Sequence, residues 1–320
     1  MKATVAIPTY NGEKYLGAIL DALRTQKLDG DFEVLIIDSG STDATLDIIA
    51  KYPEVRLHQI PNSEFGHGTT RNLAAQLATG EFMVYLSHDA VPAHDRWLAE
   101  MLEPFLLFPQ VEAVLGRQIP RPDCQPILKY EINRVFVEQG PEFGTTVFYE
   151  ADAFESHPEY GPPARFYSDV NSAARRVFLT DVIPYEDVKY AEDQLFGQAV
   201  LASGKAKAYA ARGAVIHSND LTYSEYKKRL FDEIVGLRQA HSPVPPLPSG
   251  PRSFVRAMVL DPLDIARDHD YSVGQKLRWL FVNPWYHLAK YRAVRRALTV
   301  DLTDATALAR GSLEAHRKGE

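Results

Sequence analysis

The sequence has a single cysteine, Cys124, among 320 residues. One thiol excludes an internal disulfide and a cysteine-rich zinc site, and it fits a reducing compartment. The apolar runs are all shorter than the roughly 18 residues of a membrane-spanning helix, and the start MKATVAIPTY lacks the pattern of a signal peptide. We therefore expect a soluble or peripheral protein in the cytoplasm, and a peripheral protein would lie at the cytoplasmic face of the membrane.

The sequence also lacks an excess of positive charge, because its formal net charge is −7 at pH 7. Phosphate contacts need a basic surface, so this charge argues against a nucleic-acid partner. No G-x-G-x-x-G follows the first predicted strand and no G-x-x-x-x-G-K occurs, which disfavours a dinucleotide dehydrogenase and a P-loop NTPase. A hydrophobic content of 45% still suffices for a large core in one domain or two.

Short β-branched runs alternate with helical patterns in the first half of the chain. The runs that predict strands are ATVAIP, FEVLIID, VRLHQI, EFMVYL and VEAVLG, followed later by KAYA and AVIH. Helices are predicted between them, including one that carries Leu73 and Leu77 with Gly80 as its C-terminal cap, and others that cover about 95 to 107 and about 222 to 240. This alternation predicts an α/β fold with a mostly parallel central sheet flanked by helices.

Two segments depart from this alternation. Residues 117 to 165 contain many prolines and aromatics without a clear period, so we expect functional loops there. The run SPVPPLPSGPR is too rich in proline for regular structure and predicts a linker at 241–253. The predicted domains are a main domain at 1–240, this linker, and a helical C-terminal extension at 254–320.

Three polar clusters follow predicted strands. PTYNG follows the first strand, DSGSTD the second, and SHD the fourth. Each cluster alone is also typical of an ordinary turn or helix cap. Because ligands of open α/β sheets bind beyond the carboxyl ends of the strands, the three clusters together predict a binding crevice.

Four segments together carry a resemblance to a known family. VAIPTYNGEKYL, EVLIIDSGSTDATLDI, ATGEFMVYLSHDAVP and AEDQLFGQAV, in this order over roughly residues 3 to 240, resemble family-two glycosyltransferases of the A-type fold. The segment EFGHGTTRN resembles the branch that transfers rhamnose from dTDP-rhamnose. The resemblance implies a metal-dependent, inverting glycosyltransferase domain at 1–240. Its expected reaction moves L-rhamnose from dTDP-rhamnose to a hydroxyl of a growing glycan in surface polysaccharide synthesis.

The resemblance implies a divalent metal, Mg²⁺ or Mn²⁺, held against the nucleotide diphosphate by the last acid of an Asp-x-Asp motif. Asp89 matches that acid, whereas Ser87 stands where the first acid is expected. One carboxylate can suffice, because Mg²⁺ keeps several waters and also binds substrate phosphates. His217 matches the histidine that completes the metal site in many relatives. The alternatives are that Asp89 caps the helix after Pro92 and that His217 is structural.

The resemblance also implies a set of residues that contact the donor nucleotide. They are Pro8, Thr9, Tyr10, Asn11, Asp38, Ser41, His67, Arg71, Ser87 and His88. Within this set Asp38 is expected to accept a hydrogen bond from the base. Arg71 is expected to face the base or the diphosphate, for which a guanidinium fork is well shaped, or else to be solvated or paired by a neighbouring helix. His67 either contacts the substrate or stabilises its loop.

Two acids, Glu192 and Asp193, stand at the predicted start of a helix. The helix dipole stabilises negative charge there and is expected to keep a carboxylate ionised. The family pattern assigns Asp193 as the general base that takes the proton from the acceptor hydroxyl. It assigns Glu192 to supporting the acceptor or the loop. Ordinary N-terminal capping is the alternative for one of these acids.

Three alternatives to a dTDP-rhamnose transferase differ from it in the donor or in the class of function. The first alternative is a UDP-sugar transferase of the same family. A nucleotidyltransferase is disfavoured, because PTYNGEKYL lacks a glycine-rich basic stretch. A non-catalytic glycan-binding relative is favoured by Ser87 and disfavoured by the retained Asp89, Asp193 and His217. The partners implied by the resemblance are a dTDP-sugar donor and a glycan or lipid-linked glycan acceptor.

The stretch from Tyr271 to Val300 contains no acid. It holds six basic residues and five aromatic residues of interest, namely Lys276, Arg278, Lys290, Arg292, Arg295 and Arg296 with Trp279, Phe281, Trp285, Tyr286 and Tyr291. Aromatic and basic side chains together are typical of a segment that contacts an anionic membrane surface. The alternative is that the aromatics pack on the catalytic domain and the basic groups face its acidic surface.

Overall fold

The computed structural model describes residues 2–150, 163–219, 221–239 and 255–318. Its contacts divide the chain into two compact units, the first comprising Met1–Ile119 and Asn133–His217, the second Pro120–Ile132 and Ser218–Glu320. The predicted helix at 222–240 falls in the second unit of this division, whereas the predicted main domain at 1–240 includes it. The predicted linker at 241–253 lies outside the described residues, and the predicted domain boundaries stay a prediction.

The first unit is built on a single nine-stranded sheet. The strands are β1 (Ala3–Thr9), β2 (Phe32–Asp38), β3 (Arg56–Gln59), β4 (Phe82–Leu86), β5 (Val91–Pro92), β6 (Val111–Ile119), β7 (Thr145–Phe148), β8 (Asn171–Arg175) and β9 (Ala206–Ile216). Their order is β3-β2-β1-β4-β8-β6-β9-β5, and β7 pairs with β9. The predicted strands KAYA and AVIH are therefore two parts of one long strand, β9.

The sheet is mixed. The pairs β1–β2, β1–β4, β2–β3 and β6–β9 are parallel, whereas β8 runs antiparallel to both of its neighbours, β4 and β6. The predicted α/β class is confirmed, but the parallel arrangement covers only part of the sheet. Because β8 is antiparallel, its first residues lie at the carboxyl end of β4, where the Ser87 N–H donates to the Val170 carbonyl at 3.1 Å.

Helices cover the sheet of the first unit. They are α1 (Leu16–Arg24), α2 (Thr45–Ile49), α3 (His67–Leu77), α4 (Trp97–Leu107), α6 (Arg176–Asp181) and α7 (Glu192–Ala202), while α5 (Pro126–Gln139) contributes residues to both units. The helical spacing of Leu16, Ile19, Leu20 and Leu23 places all four side chains in the core. The core also holds Trp97, whose indole N–H donates to Asn171 Oδ1 at 3.0 Å.

Two local predictions are wrong. The segment 117–165 is not irregular throughout, because it contains α5 and β7. In α5 the charged and apolar residues are intermixed, as the sequence PILKYEINRVFVEQ shows, so no clear apolar face was visible. Gly80 is not the cap of α3, which is closed by Ala78. A Cβ on Gly80 would lie 2.4 Å from the Thr4 nitrogen, so glycine is required there for close packing against β1.

The secondary-structure elements described in the second unit are all helical. Its helices are α8 (Tyr223–Gln239), a π-helical turn (Arg256–Leu260), α9 (Asp261–Arg267), α10 (Val273–Thr299), α11 (Ala305–Gly311) and α12 (Leu313–Lys318). A capping box of Ser272 and Gln275 starts α10. Tyr226, Trp279 and Tyr286 form the aromatic part of its core. Among the described helices, none combines the length and apolar character needed to cross a bilayer.

Candidate active site

The loop after β4 and the residue after β9 bring two expected metal ligands together. The distance from His217 Nε2 to Asp89 Oδ2 is 3.4 Å. The other ring nitrogen of His217, Nδ1, lies 3.0 Å from Gln118 Oε1, a carbonyl oxygen that accepts a hydrogen bond from Nδ1–H. With a proton on Nδ1 alone, the lone pair of Nε2 would face Asp89, which is the orientation of a metal-binding histidine held by an outer partner.

The donor chemistry of this pair fits a divalent cation. A carboxylate oxygen and a neutral imidazole nitrogen both bind Mn²⁺, and carboxylate oxygen suits Mg²⁺. Within the described ranges, no group of three or more His, Cys, Asp or Glu residues is arranged to hold a metal. A bound diphosphate and water could supply further ligands. The alternative role of Asp89 as a cap fails, because Arg96 is the residue that precedes α4.

The two acids predicted at a helix start do begin α7. The preceding Ala191 has φ 67°, a left-handed conformation that costs a non-glycine residue about 1 kcal/mol or more. Asp193 keeps part of its surface exposed, and its Oδ2 accepts a hydrogen bond from the Asp169 N–H at 3.3 Å. Glu192 is 5% exposed and faces the protein interior. The strained residue thus directs one acid inward and leaves the other accessible.

A buried ion-pair network lies beneath α7. The Arg71 Nε is 3.0 Å from Asp169 Oδ2, and its Nη1 is 2.7 Å from Glu192 Oε1. Asp169 also accepts hydrogen bonds from the hydroxyls of Ser172 at 2.6 Å and Tyr185 at 2.8 Å. Arg71 is 9% exposed, so it is paired rather than solvated. Its predicted contact with the nucleotide stays a prediction, and the structure gives it two carboxylate partners within the protein.

The network changes the acidity of its members. Burial is the largest cause that raises the pKa of Asp193 well above its usual value, and the charges of Glu192 and Asp169 add to it. Burial also raises the pKa of Asp169, although Arg71 opposes this shift. From the sequence alone, the helix dipole is expected to keep a carboxylate ionised at this position. Desolvation and two neighbouring carboxylates outweigh the dipole here.

A three-residue segment, Ser168 to Val170, joins the parts of the site. The Ser168 hydroxyl accepts a hydrogen bond from Gln118 Nε2 at 3.2 Å, and Gln118 orients His217. The Asp169 N–H binds Asp193, and the Val170 carbonyl binds the Ser87 N–H. The loop of Asp89, the Gln118 that contacts His217 and the candidate base Asp193 are therefore all hydrogen-bonded to this one segment.

Sequence reasoning missed Asp169 and Gln118. The available signal for Asp169 was an acid placed directly before an alanine-rich buried strand, in SDVNSAARR. An isolated carboxylate at such a position needs a partner, because burying a charge without one is very costly. No feature of the sequence around Gln118 indicates its contact with His217, which lies 99 residues further along the chain.

The loops after β1 and β2, which carry the expected nucleoside contacts, are bound to each other. Asn11, at φ 49°, donates its N–H to Ser41 Oγ at 2.9 Å, and its side-chain oxygen accepts from the Thr42 N–H at 2.9 Å. The Asp38 carboxylate accepts from the N–H groups of Gly40 and Ser41 and from the Ser41 hydroxyl. Asp38 is 0% exposed, so its predicted hydrogen bond to the base stays a prediction.

The remaining predicted donor contacts differ in exposure. Tyr10 is 40% exposed, whereas Pro8, His67, Ser87 and His88 are partly buried. Thr9 is 2% exposed and its hydroxyl donates to the Ile7 carbonyl at 3.1 Å, so its side chain belongs to the core. These placements leave the donor-binding roles as predictions.

The sequence matches the model of the family described as Glycosyl transferase family 2 over residues 4–153. The O-antigen chain rhamnosyltransferase RfbN of Salmonella typhimurium is 31% identical over 245 residues, which cover 76% of this chain and 74% of that protein. The poly(ribitol-phosphate) beta-N-acetylglucosaminyltransferase TarS of Staphylococcus aureus is 28% identical over 244 residues, which cover 72% of this chain and 36% of that protein.

A solved structure shares the fold. The mannosyltransferase PcManGT from Pyrobaculum calidifontis, in complex with GDP-Man and Mn²⁺, aligns with 99% of this chain and 81% of its own at a TM-score of 0.56. The sequence identity in this alignment is 21%, so the likeness concerns the fold alone. It confirms the fold class that the sequence resemblance implied.

Proposed function

The chain belongs to the family 2 glycosyltransferases, and from this premise we propose that it is a metal-dependent, inverting enzyme that transfers L-rhamnose from dTDP-rhamnose to a hydroxyl of a growing glycan. The observation that carries the proposal is the Ser168–Val170 segment, which contacts the candidate base Asp193, the loop of Asp89 and the Gln118 that orients His217. The motif EFGHGTTRN and the relative named as a rhamnosyltransferase support the choice of sugar.

The proposed reaction is a single displacement. The acceptor oxygen forms a bond to the anomeric carbon while the bond from that carbon to the diphosphate oxygen breaks. The proton of the acceptor hydroxyl passes to Asp193, and dTDP leaves with the electron pair of the broken bond. Because the acceptor attacks from the face opposite the leaving group, the configuration at the anomeric carbon inverts. The raised pKa of Asp193 makes its carboxylate a stronger base than an ordinary aspartate.

The other members of the site hold the reacting groups in position. Asp169 fixes Asp193 through its backbone N–H, and Arg71 fixes both Asp169 and Glu192. Such positioning contributes to the rate, because a small displacement of a base costs much of its catalytic effect. A divalent cation bound by Asp89 and His217 would neutralise charge on the leaving diphosphate.

A UDP-sugar donor is the second candidate. The relative TarS is named as an N-acetylglucosaminyltransferase, and it has been solved in complex with UDP-GlcNAc. The two donors differ in the base methyl group and the ribose 2′-hydroxyl, and also in the sugar. A pocket fitted to one methyl group can bind the ligand that carries it about tenfold more tightly than the ligand that lacks it.

Calorimetric titration tests the donor and the metal together. We expect wild-type protein to bind dTDP-rhamnose about tenfold or more tightly than UDP-N-acetylglucosamine, and to bind it more tightly with Mg²⁺ or Mn²⁺ than without. Asp89→Ala should lose the effect of the metal, because it removes the carboxylate ligand. Ser87→Ala is the matched control and should keep it, because a neutral hydroxyl is a poor ligand for these cations.

Two outcomes of this titration would count against the proposal. Equal metal dependence in the wild type and in Asp89→Ala would remove Asp89 from the metal site. Tighter binding of the UDP-sugar would replace the dTDP-rhamnose assignment by the second candidate.

We also propose that the second unit contacts an anionic membrane surface, which would suit a lipid-linked acceptor. One face of α10 carries exposed apolar side chains at helical spacing, which are Val273, Leu277, Leu280, Phe281 and Trp285. Phe281 is 77% exposed. Further along α10, Arg292 and Arg295 are exposed and form no ion pair with any described residue. Apolar side chains beside unpaired cations are complementary to an anionic bilayer.

The aromatic residues of this stretch are divided between two roles. Trp279 and Tyr286 are buried in the core of the second unit, whereas Phe281 and Trp285 are exposed. Lys290 forms an ion pair with Glu131 of the same unit. Internal packing therefore accounts for Trp279, Tyr286 and Lys290. It does not account for the exposed apolar face of α10, which is the surface proposed to contact the membrane.

Sedimentation with vesicles tests the membrane contact. We expect binding to anionic but not to neutral vesicles, weakened by salt, because each basic side chain near an anionic surface contributes on the order of 1 kcal/mol. Leu277→Glu with Phe281→Glu should reduce the bound fraction about tenfold or more, since burial of each apolar side chain contributes about 1.5 kcal/mol or more. Val177→Glu, at a 59% exposed position of α6, is the control. Absence of sedimentation with anionic vesicles at low salt would refute the contact.

A further inference from the structure

The second unit contains a cavity of about 850 Å³. We call it the aromatic pocket. It is formed by the segment before α5, the segment before α8 and one face of α10, and its lining includes Asp123, Gln125, Asn219, Tyr223, Arg278 and Trp285. All of these residues belong to the second unit. The volume lies within the range of about 300 to 1,000 Å³ that is typical of pockets for small ligands.

Two exposed aromatic rings stand in the pocket wall. Tyr223 is 38% exposed and Trp285 is 54% exposed. The Tyr223 hydroxyl donates to the Trp285 carbonyl at 3.3 Å, and the Tyr223 ring packs edge-on against the buried Tyr286 ring at 5.2 Å between centroids. These contacts hold the wall in place before any ligand arrives, so little ordering is needed on binding.

A buried amide in the wall has an unmet hydrogen-bonding group. Gln125 is 7% exposed, and its Nε2 has no hydrogen-bond partner within the described ranges. An amide N–H that is buried without an acceptor destabilises the protein by about 1 to 3 kcal/mol. A ligand with a hydrogen-bond acceptor inside the pocket would supply the missing partner.

The charged groups of the pocket are balanced. Asp123 and Arg278 are both exposed, and neither forms an ion pair with a described residue. One carboxylate and one guanidinium, together with the amides of Gln125 and Asn219, offer both donors and acceptors without a net charge. This balance suits a neutral polar ligand better than a polyphosphate, which needs an excess of cations.

We propose that the aromatic pocket binds a sugar residue of the acceptor glycan. A pyranose ring has faces of C–H bonds, which suit the electron-rich face of the exposed Trp285. The Tyr223 ring forms part of the same wall and has the Lys227 ammonium 4.8 Å from its centroid. Its hydroxyls each donate and accept, which suits the mixed polar groups of the pocket and gives Gln125 Nε2 an acceptor. The lining also has an apolar part, which includes Leu221, Trp279 and Val282, so an alkyl chain is the competing occupant. The proposal rests on the glycosyltransferase function, because it is that function which requires a bound glycan.

Saturation-transfer NMR with the full-length protein tests this site. The probes are methyl α-glycosides of L-rhamnose, D-mannose, D-galactose and D-glucose, used one at a time. We expect at least one glycoside to show a saturation-transfer signal with the wild-type protein. Trp285→Ala and Gln125→Met should bind that glycoside about tenfold more weakly than the wild type does. Gln125→Met keeps the length of the side chain and removes only the amide. Phe143→Ala, at a 75% exposed aromatic position of the first unit, is the control and should bind as the wild type does.

Thermal unfolding of each variant shows whether it is folded. Nucleotide binding is measured separately, by titration with dTDP and UDP. If no glycoside shows a saturation-transfer signal with the wild type, the pocket assignment is wrong. It is also wrong if the pocket variants bind a glycoside as tightly as the wild type does. If the pocket variants instead lose vesicle binding and retain glycoside binding, the pocket serves lipid and the proposal is likewise overturned. Failure of nucleotide binding would refute the glycosyltransferase proposal independently of the glycoside result.

Discussion

Asp193→Asn is expected to reduce transfer by about 10²-fold or more while donor binding stays close to that of the wild type. The variant keeps the side-chain oxygen that accepts the Asp169 N–H, so the start of α7 should be preserved. It removes the carboxylate that takes the acceptor proton, and a base of this kind acts on the transition state and not on the bound nucleotide. Steady-state transfer and calorimetric donor binding, measured on the same preparation, check the two parts of the expectation.

The same variant should be stabilised relative to wild type as the pH rises. The folded pKa of Asp193 is raised above the value of about 4 in the unfolded chain. Its contribution to stability is therefore fully present below the unfolded pKa and is lost as the pH rises through the folded pKa. Asparagine does not titrate, so the difference in Tm between Asp193→Asn and wild type should grow between pH 5 and pH 9.

The control for the transfer measurement is Asp47→Asn, at an exposed position of α2. It should leave transfer at the wild-type level. If Asp193→Asn kept more than about a tenth of the wild-type transfer, against the loss expected for a general base, the assignment of the base would be wrong. A Tm difference that stayed constant with pH would contradict the raised pKa.

Arg71→Met is expected to lower the free energy of unfolding by about 3 to 5 kcal/mol. The guanidinium is the described cation that pairs with both Asp169 and Glu192, whose side chains are 0% and 7% exposed. Methionine replaces much of the buried stem but leaves two carboxylates without their counter-charge. The free energy of unfolding of Arg71→Lys should lie between those of the wild type and Arg71→Met. Lysine keeps the positive charge, but its compact ammonium does not reproduce the fork of a guanidinium. Urea unfolding at pH 7 measures each loss.

The control is Arg24→Met, which breaks an ion pair with Glu54 whose two side chains are each 46% exposed. An exposed ion pair contributes little to stability, so comparing the two variants separates the effect of burial from the effect of removing a charge. Adding Asp169→Asn to Arg71→Met should restore part of the stability, because it removes one of the unpaired charges. Equal losses for Arg71→Met and Arg24→Met would show that the network does not stabilise the site as described.

Local sequence patterns determined much of the first unit. The run FEVLIID predicted β2 with the observed bounds Phe32–Asp38, and the apolar spacing of Leu16, Ile19, Leu20 and Leu23 predicted the buried face of α1. These features depend on residues close together in the chain, whose periods of two and 3.6 fix the side that is buried. The placement of Asp193 at the start of a helix was predictable for the same reason, from AEDQLFG.

Only the tertiary structure decided how the site is held together. The antiparallel β8 lies between β4 and β6, and it carries Asp169 to the carboxyl end of β4. Arg71 and Glu192 are 121 residues apart and meet in the interior, where Asp169 joins them. Strand order and ion pairing of this kind depend on contacts between distant segments, which no local period records. The raised pKa of Asp193 follows from the same packing, because desolvation and neighbouring charges exist only after those segments have come together.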